Sequence, residues 1–410
     1  MKKHVLYLLY LACFLIISCN NSVDLPQGIW RAVLKTETGA EIPFNFEYND
    51  SDDGKTIYLI NGKDRFLVDK ISTKNDSIFI QLPLFDSEIR AKIIKNGLTG
   101  KWVKHLPTRN PAMNFSAQSG KEWRFFESND HPKYNISGRW SAVFISPDGK
   151  DTTNAVGRFD QRGNKVTGTF LTTTGDYRFL EGVVVNNKLF LSTFDGSNAY
   201  LFTGLMANDS AITNGLFHSG LTSVEKWTAT KNEKAELPDA YSLTRLKEGN
   251  KTLSFSFPDL SGKEISLSDA TFKNKVIVIQ FLGSWCANCM DETAFLAPFY
   301  QEYKEKGVEV IGLAYERTPD FNKSKARVEQ LKQRFNITYP LLITGFTNKE
   351  VLKSMPALNE FKAFPTTVLI DKEGLVRKIH TGFSGPGTGT EYNRFVKAFK
   401  IEIEQLLQEN

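Results

Sequence analysis

The spacing of apolar residues changes character along this chain. From 24 to about 231 they alternate with polar ones in short runs broken by Asn, Asp and Gly turns, the pattern of half-buried strands. From 251 onward the pattern is that of mixed helices and strands. Val276 to Leu282 is a nearly unbroken apolar run, as a strand covered on both faces requires. Behind it Phe295, Leu296, Phe299, Tyr300 and Tyr303 recur at helical spacing, and Gly307 supplies a stop signal. Val308 to Tyr315 reads as a second strand, Phe321 to Phe335 as a charged amphipathic helix, and Tyr339 to Ile343 as a further strand. Asn348 to Phe361 is expected to be helical and Thr366 to Gly382 to form a hairpin. A last helix from Glu391 to Leu407 puts Phe395, Phe399, Ile403 and Leu406 on one stripe.

An internal repeat organises the alternating region. Gly28-Ile29-Trp30-Arg31-Ala32-Val33-Leu34 returns as Gly138-Arg139-Trp140-Ser141-Ala142-Val143-Phe144, offset by 110 residues. Ile78-Phe79-Ile80 and Phe85-Asp86 return as Leu189-Phe190-Leu191 and Phe194-Asp195. A late tryptophan follows in each copy, Trp102 or Trp123 in the first and Trp227 in the second. The expected architecture is multidomain: two tandem all-β modules, barrel or sandwich, at 24–126 and 133–231, then an α/β domain at 251–410. The charged, Pro-containing stretch 232–250 reads as a linker that lets the last domain swing. The Gly-x-Trp opening resembles lipocalin-like and streptavidin-like barrels; a spacer or docking platform is favoured over a ligand-holding cup. Asn49 to Gly54 is rich in oxygen ligands but lacks the glutamate of a calcium loop and reads as a hairpin turn.

The candidate chemistry lies in Trp285-Cys286-Ala287-Asn288-Cys289, where a Cys-x-x-Cys opens the helix that follows the buried strand. Unpaired backbone N–H groups and the positive end of the helix dipole there favour a Cys286 thiolate. Cys289 follows on the same face, placed to attack a mixed disulfide formed by Cys286. Glu292 comes one turn further, and a carboxylate buried there could take the proton of Cys289. The alternative, half of a structural zinc site, lacks a second pair: Cys13 and Cys19 lie near the N-terminus, and His105, His131, His218 and His380 show no ligand spacing. No metal is therefore expected. The run Gly382 to Gly389 lacks the lysine of a phosphate loop and reads as a flexible connection.

From about Leu253 to Leu407 these residues resemble the TlpA/ResA-type thiol-disulfide oxidoreductases of the thioredoxin superfamily. Phe257-Pro258-Asp259-Leu260 is similar to the family's N-terminal hairpin, the Trp285 to Cys289 run with Glu292 to its active site, and Phe364-Pro365-Thr366-Thr367 to its cis-proline segment. The resemblance implies a thioredoxin-like domain in which Pro365 is cis, Trp285 shields one side of the pair and the Phe364 backbone pairs with an extended substrate. It further implies a reductase of protein disulfides, with no cofactor beyond the Cys286–Cys289 pair and with an electron-donating thiol partner. Asn288 and Ala294 stand where the family usually has prolines. Because residues between the cysteines tune the potential, its value is not implied by the family.

Lys2-Lys3, the apolar stretch Val5 to Ile17 and Ile16-Ile17-Ser18-Cys19 fit a bacterial lipoprotein signal over 1–18, with Cys19 acylated at the head of a tether, 19–23. The apolar run falls short of the ~20 residues of a bilayer span. Asn20 after the cysteine leans toward the outer membrane, and the expected place is the periplasm, lipid-anchored. Loss of Lys2 and Lys3 lowers the formal charge from +5 to +3, and the exported chain keeps only Cys286 and Cys289 free. Its charges are interspersed, so nucleic acid is not an expected partner. Two other functions stay open. A peroxiredoxin-like peroxidase would want Ser or Thr where Gly283 stands, and a ligand- or partner-binding lipoprotein would use the redox domain to service a bound client.

Overall fold

The computed structural model describes residues 25–127 and 131–409. The leader, the tether and Cys19 lie outside them.

Alternation in the first module produces a nine-stranded antiparallel sheet. Gly28–Lys35 pairs with Glu41–Ser51 on one side and with Ala112–Ser119 on the other. The two edge strands, Asp64–Val68 and Lys70–Lys74, are consecutive in sequence, so the sheet curls round a core holding Trp30, Phe44 and Phe46. The second module closes fully. Gly138–Ile145 pairs with Thr152–Arg162 and with Ser223–Lys231, and eight strands complete the ring. Both modules are therefore barrels rather than sandwiches, and in the second closure removes the open edge that a lone sheet would expose.

The repeat has a structural counterpart in each copy. Trp30 Nε1 donates to the Pro26 carbonyl at 2.9 Å, and Trp140 Nε1 donates to the Ile136 carbonyl at 2.7 Å. The late tryptophans correspond differently from the expectation. Trp227 faces Phe144 across the sheet, and the residue facing Leu34 is Phe115, so the counterpart of Trp227 is neither Trp102 nor Trp123. A shared volume at that position is filled by two different aromatic side chains, which sequence matching by residue type overlooks. Asn49 to Gly54 lies at the turn joining Glu41–Ser51 to Gly54–Asn61, with Gly54 at φ +114°.

The C-terminal domain is a five-stranded sheet in the order Leu341–Ile343, Val308–Ala314, Val276–Leu282, Thr366–Ile370, Val376–Thr381. The first three strands are parallel and the last two antiparallel. Val276, Val278 and Leu282 face helices Ala287–Tyr303 and Thr390–Gln408, while Ile277, Ile279 and Phe281 face Phe255, Phe257 and Met355. Cover on both faces is why the central strand is apolar at nearly every position.

Two expectations fail here. The helix expected over 348–361 is a single turn, Val351–Ser354, followed by the strand Leu358–Glu360. Pro356 is the reason: it disfavours helical backbone at Met355, which sits at φ −123°, ψ 69°. The stretch 232–250 is not a free swinging linker. Ala235 is buried and its carbonyl accepts from Arg139 Nε at 2.6 Å, Thr244 bonds Thr381, and Arg245–Leu246 pairs with Leu358–Glu360. Among the described residues no helix is long and apolar enough to cross a membrane.

The three units are packed together. Phe194, Ala199 and Leu201 of the second module complete the core of the first, and Leu84 and Phe85 of the first join the core of the redox domain. The repeated Phe-Asp turn thus serves an interface in both copies: Asp86 pairs with Arg327 of the redox domain, and Asp195 faces Arg178 of its own module, which in turn bonds Asp291 of the redox domain.

Candidate active site

Gly283-Ser284-Trp285 turns the chain from the central strand into the cysteine helix. Glu316, buried at the end of the neighbouring strand, holds this turn by accepting from Ser284 N and Ser284 Oγ, both at 2.8 Å. A Cβ at residue 283 would lie 2.2 Å from Trp285 Nε1, so a Ser or Thr there would displace the indole. That clash argues against a peroxidase arrangement.

Cys286 is the N-cap of Ala287–Tyr303, and its Sγ accepts from Cys289 N at 3.2 Å. The pair is joined as a disulfide, with Cα atoms 5.2 Å apart. Cys286 is 7% exposed and Cys289 is fully buried, so an incoming thiol or disulfide can reach only the first sulfur. An N-cap sulfur receiving a backbone N–H is the arrangement that stabilises a thiolate once the bond is reduced.

Glu292 lies behind the pair, 1% exposed. Burial pushes its carboxyl up to about 7, against the opposing pull of hydrogen bonds from Thr367 Oγ1 and Gln280 Nε2, the latter at 2.8 Å. A carboxyl held near neutrality can exchange a proton with a thiol at ordinary pH. Gln280 and Thr367 do not stand out from the sequence as site residues. Gln280 carries a signal all the same, as the lone polar residue in the run Val276–Leu282.

Trp285 and Phe364 close one side of the disulfide, their rings 5.5 Å apart at 77°. Trp285 Nε1 donates to the Tyr315 carbonyl at 3.0 Å, which fixes the indole. The Phe364–Pro365 peptide is cis, and the Pro365 carbonyl accepts from Gly382 N at 2.8 Å. Trp285, Cys286 and Phe364 line one cleft, and Thr367 links the cis-proline segment to Glu292.

The second module reaches this site, which the sequence did not reveal. Asn288, between the cysteines, donates from Nδ2 to the Asp176 carbonyl at 3.2 Å. A side chain on Gly175 would meet that amide, with a Cβ 2.0 Å from Asn288 Nδ2. The departure from proline at 288 therefore places a hydrogen-bond donor where the modules meet. Next to it, Arg178 donates to Asp291 at 2.9 Å and approaches Asp195 at 3.5 Å, all three largely buried. Burial pushes Asp291 up to about 7: the attraction of Arg178 opposes this, but Asp176, Asp64 and Asp195 crowd one guanidinium with like charge. The glycine-rich run expected to be a flexible connection is part of this joint. Gly385 N donates to Asp176 Oδ2 at 2.6 Å, and a Cβ on Gly387 would lie 2.9 Å from the Arg178 backbone.

Known proteins match the C-terminal part of this architecture. A family model described as Redoxin matches residues 247–394. The thiol-disulfide oxidoreductase ResA of Bacillus thuringiensis subsp. konkukian is 30% identical over 168 residues, which cover 41% of this chain and 81% of ResA. ResA of Geobacillus thermodenitrificans is 31% identical over 141 residues, covering 34% of this chain and 72% of that protein. Among solved structures, a thiol-disulfide oxidoreductase from Bacteroides fragilis aligns with 36% of this chain and 99% of its own at 19% identity, with a TM-score of 0.28. Through the domain that carries the Cys286–Cys289 disulfide, this chain belongs to the ResA-type, thioredoxin-like thiol-disulfide oxidoreductases.

Proposed function

We propose that the protein is a lipid-anchored periplasmic reductase of protein disulfides. The observation that carries the reading is the stacking of roles along one helix: an accessible N-cap sulfur, a buried second sulfur and a buried carboxyl near neutrality. In the reduced form the Cys286 thiolate attacks a substrate disulfide, forming a mixed disulfide and expelling one substrate thiolate. Cys289 gives its proton to Glu292 and attacks Cys286 Sγ, which expels the second substrate sulfur as a thiolate and closes the Cys286–Cys289 bond. Trp285 shields the sulfur, and the Phe364–Pro365 segment presents an extended stretch of substrate by strand addition. Each turnover consumes two electrons, so a thiol partner must re-reduce the pair.

The anchor rests on the sequence around Cys19, with Asn20 favouring the outer membrane. Several acyl chains on one residue give stable attachment where one chain gives only marginal binding.

The reduction potential of the full chain tests the direction of electron flow. A value near or below about −270 mV, the thioredoxin range, is expected, and one near about −120 mV would make the protein a disulfide donor. Cys289→Ser should accumulate the mixed disulfide with client proteins while Cys286→Ser should not. Cys19→Ala should release the protein from membranes.

A further inference from the structure

The cleft over Cys286 is built by all three units. It has a volume of about 300 Å³. The redox domain supplies Trp285, Phe364 and Arg317, the second module supplies the 172–177 turn with Asn198 and Tyr200, and the first module supplies Lys104. A thiol-disulfide site on an isolated thioredoxin-like domain would be open on the side that the modules wall off here.

Two cations in this cleft lack an ion-pair partner. Lys104 donates to the Ser197 carbonyl at 2.6 Å, and Arg317 stacks on Trp285 with its guanidinium 5.1 Å from the ring. Neither makes an ion pair among the described residues. Carboxylates near them are engaged elsewhere: Glu316 accepts from Ser284, Asp195 faces Arg178 and Asp86 pairs with Arg327. Asp176 is the one acidic residue in the lining, and its carboxylate is turned to the backbone N–H groups of Arg178 and Gly385. Two cations without an ion-pair partner thus line the cleft over the accessible sulfur, in a partly desolvated site where a charge interacts more strongly than in water.

We propose that this composite cleft is a specificity site for acidic peptide disulfides, in which Lys104 and Arg317 read carboxylates beside the half-cystine that Cys286 attacks. The proposal deepens the reductase reading and rests on it. Substrate carboxylates would complete the ion pairs that the protein leaves open, and the limited volume admits an extended segment rather than a folded surface.

The test uses the pre-reduced full chain and three synthetic peptide disulfides that differ only in the residues beside cysteine: Glu, Gln or Lys. Single-turnover rates at low salt should fall in that order, with Glu over Lys by about tenfold for each charge read, equivalent to ~1.4 kcal/mol each. The spread should shrink as salt rises. Lys104→Gln and Arg317→Gln should each narrow it, while Lys104→Arg and Arg317→Lys should restore it, an outcome that a merely structural role would not give. Equal rates for the three peptides, or Lys fastest, overturn the specificity site and leave disulfide reduction standing. Failure to reduce any peptide overturns the reductase reading and the site with it.

Discussion

Replacing Glu292 with glutamine should make the protein more stable and less active at once. Burial raises the Glu292 carboxyl from 4.5 to about 7, so the fold favours the protonated form. The contribution is fully present below pH 4.5 and is lost as pH rises through 7. At ~1.4 kcal/mol per pH unit, ionisation costs the folded state ~3 kcal/mol by pH 8. A glutamine side chain cannot ionise, and it fits the existing partners if its oxygen faces Gln280 Nε2 and its amide nitrogen faces Thr367 Oγ1. Urea unfolding of the oxidised proteins at pH 5 and pH 8 isolates the effect, because other titrating groups are common to both. Glu292→Gln should match the parent at pH 5 and exceed it by ~2–3 kcal/mol at pH 8. Single-turnover reduction should slow by roughly 10²-fold and lose its ionisation near 7. An identical pH slope of stability in the two proteins would refute the assignment of that titration to Glu292. An unchanged pH profile of thiol reactivity would remove its role in moving the Cys289 proton.

Other expectations follow from the joint between units. Arg178→Met leaves buried carboxylates without their cation and should cost ~3–5 kcal/mol in urea unfolding near neutral pH, with a smaller loss at pH 4 where the Asp291 carboxyl holds its proton; a loss under ~1 kcal/mol at pH 7 would contradict the cluster. Gly175→Ala combines φ +139° with a Cβ 2.0 Å from Asn288 Nδ2, and should push the second module off the cysteine helix and speed alkylation of reduced Cys286. Trp30→Phe and Trp140→Phe each orphan a carbonyl bonded by an indole N–H and should destabilise by similar amounts, ~1–3 kcal/mol, as thermal unfolding would show.

Features that depend on local spacing were legible in the sequence. The apolar run before Cys286, the helix behind it, the position of Glu292 and the 110-residue repeat are all short-range patterns, and the structure brings those residues together as strand, N-cap, buried carboxyl and paired barrels. What was missed depends on contacts between distant segments. Arg178 and Asp291 are separated by 113 residues, and each reads as an ordinary surface charge until the modules pack. Asn288 looks only like a departure from the family pattern, since its partner is a backbone carbonyl and carries no residue type to search for. The helix expected over 348–361 is a different kind of miss, because Pro356 acts on the residue before it and that effect is local.

The hydrogen bond from Asn288 to the Asp176 carbonyl makes the redox couple a property of the whole chain. Trimming the barrels away would hydrate Asn288, remove Arg178 and expose Asp291, so that its carboxyl, two residues from Cys289, would lose both its burial and its cation and carry more negative charge. Negative charge there disfavours thiolates, so a truncated fragment would report a voltage that the intact protein never has. Since about 30 mV corresponds to ~1.4 kcal/mol, even a tenfold change in the stability of the reduced pair would re-rank the protein among its potential electron donors.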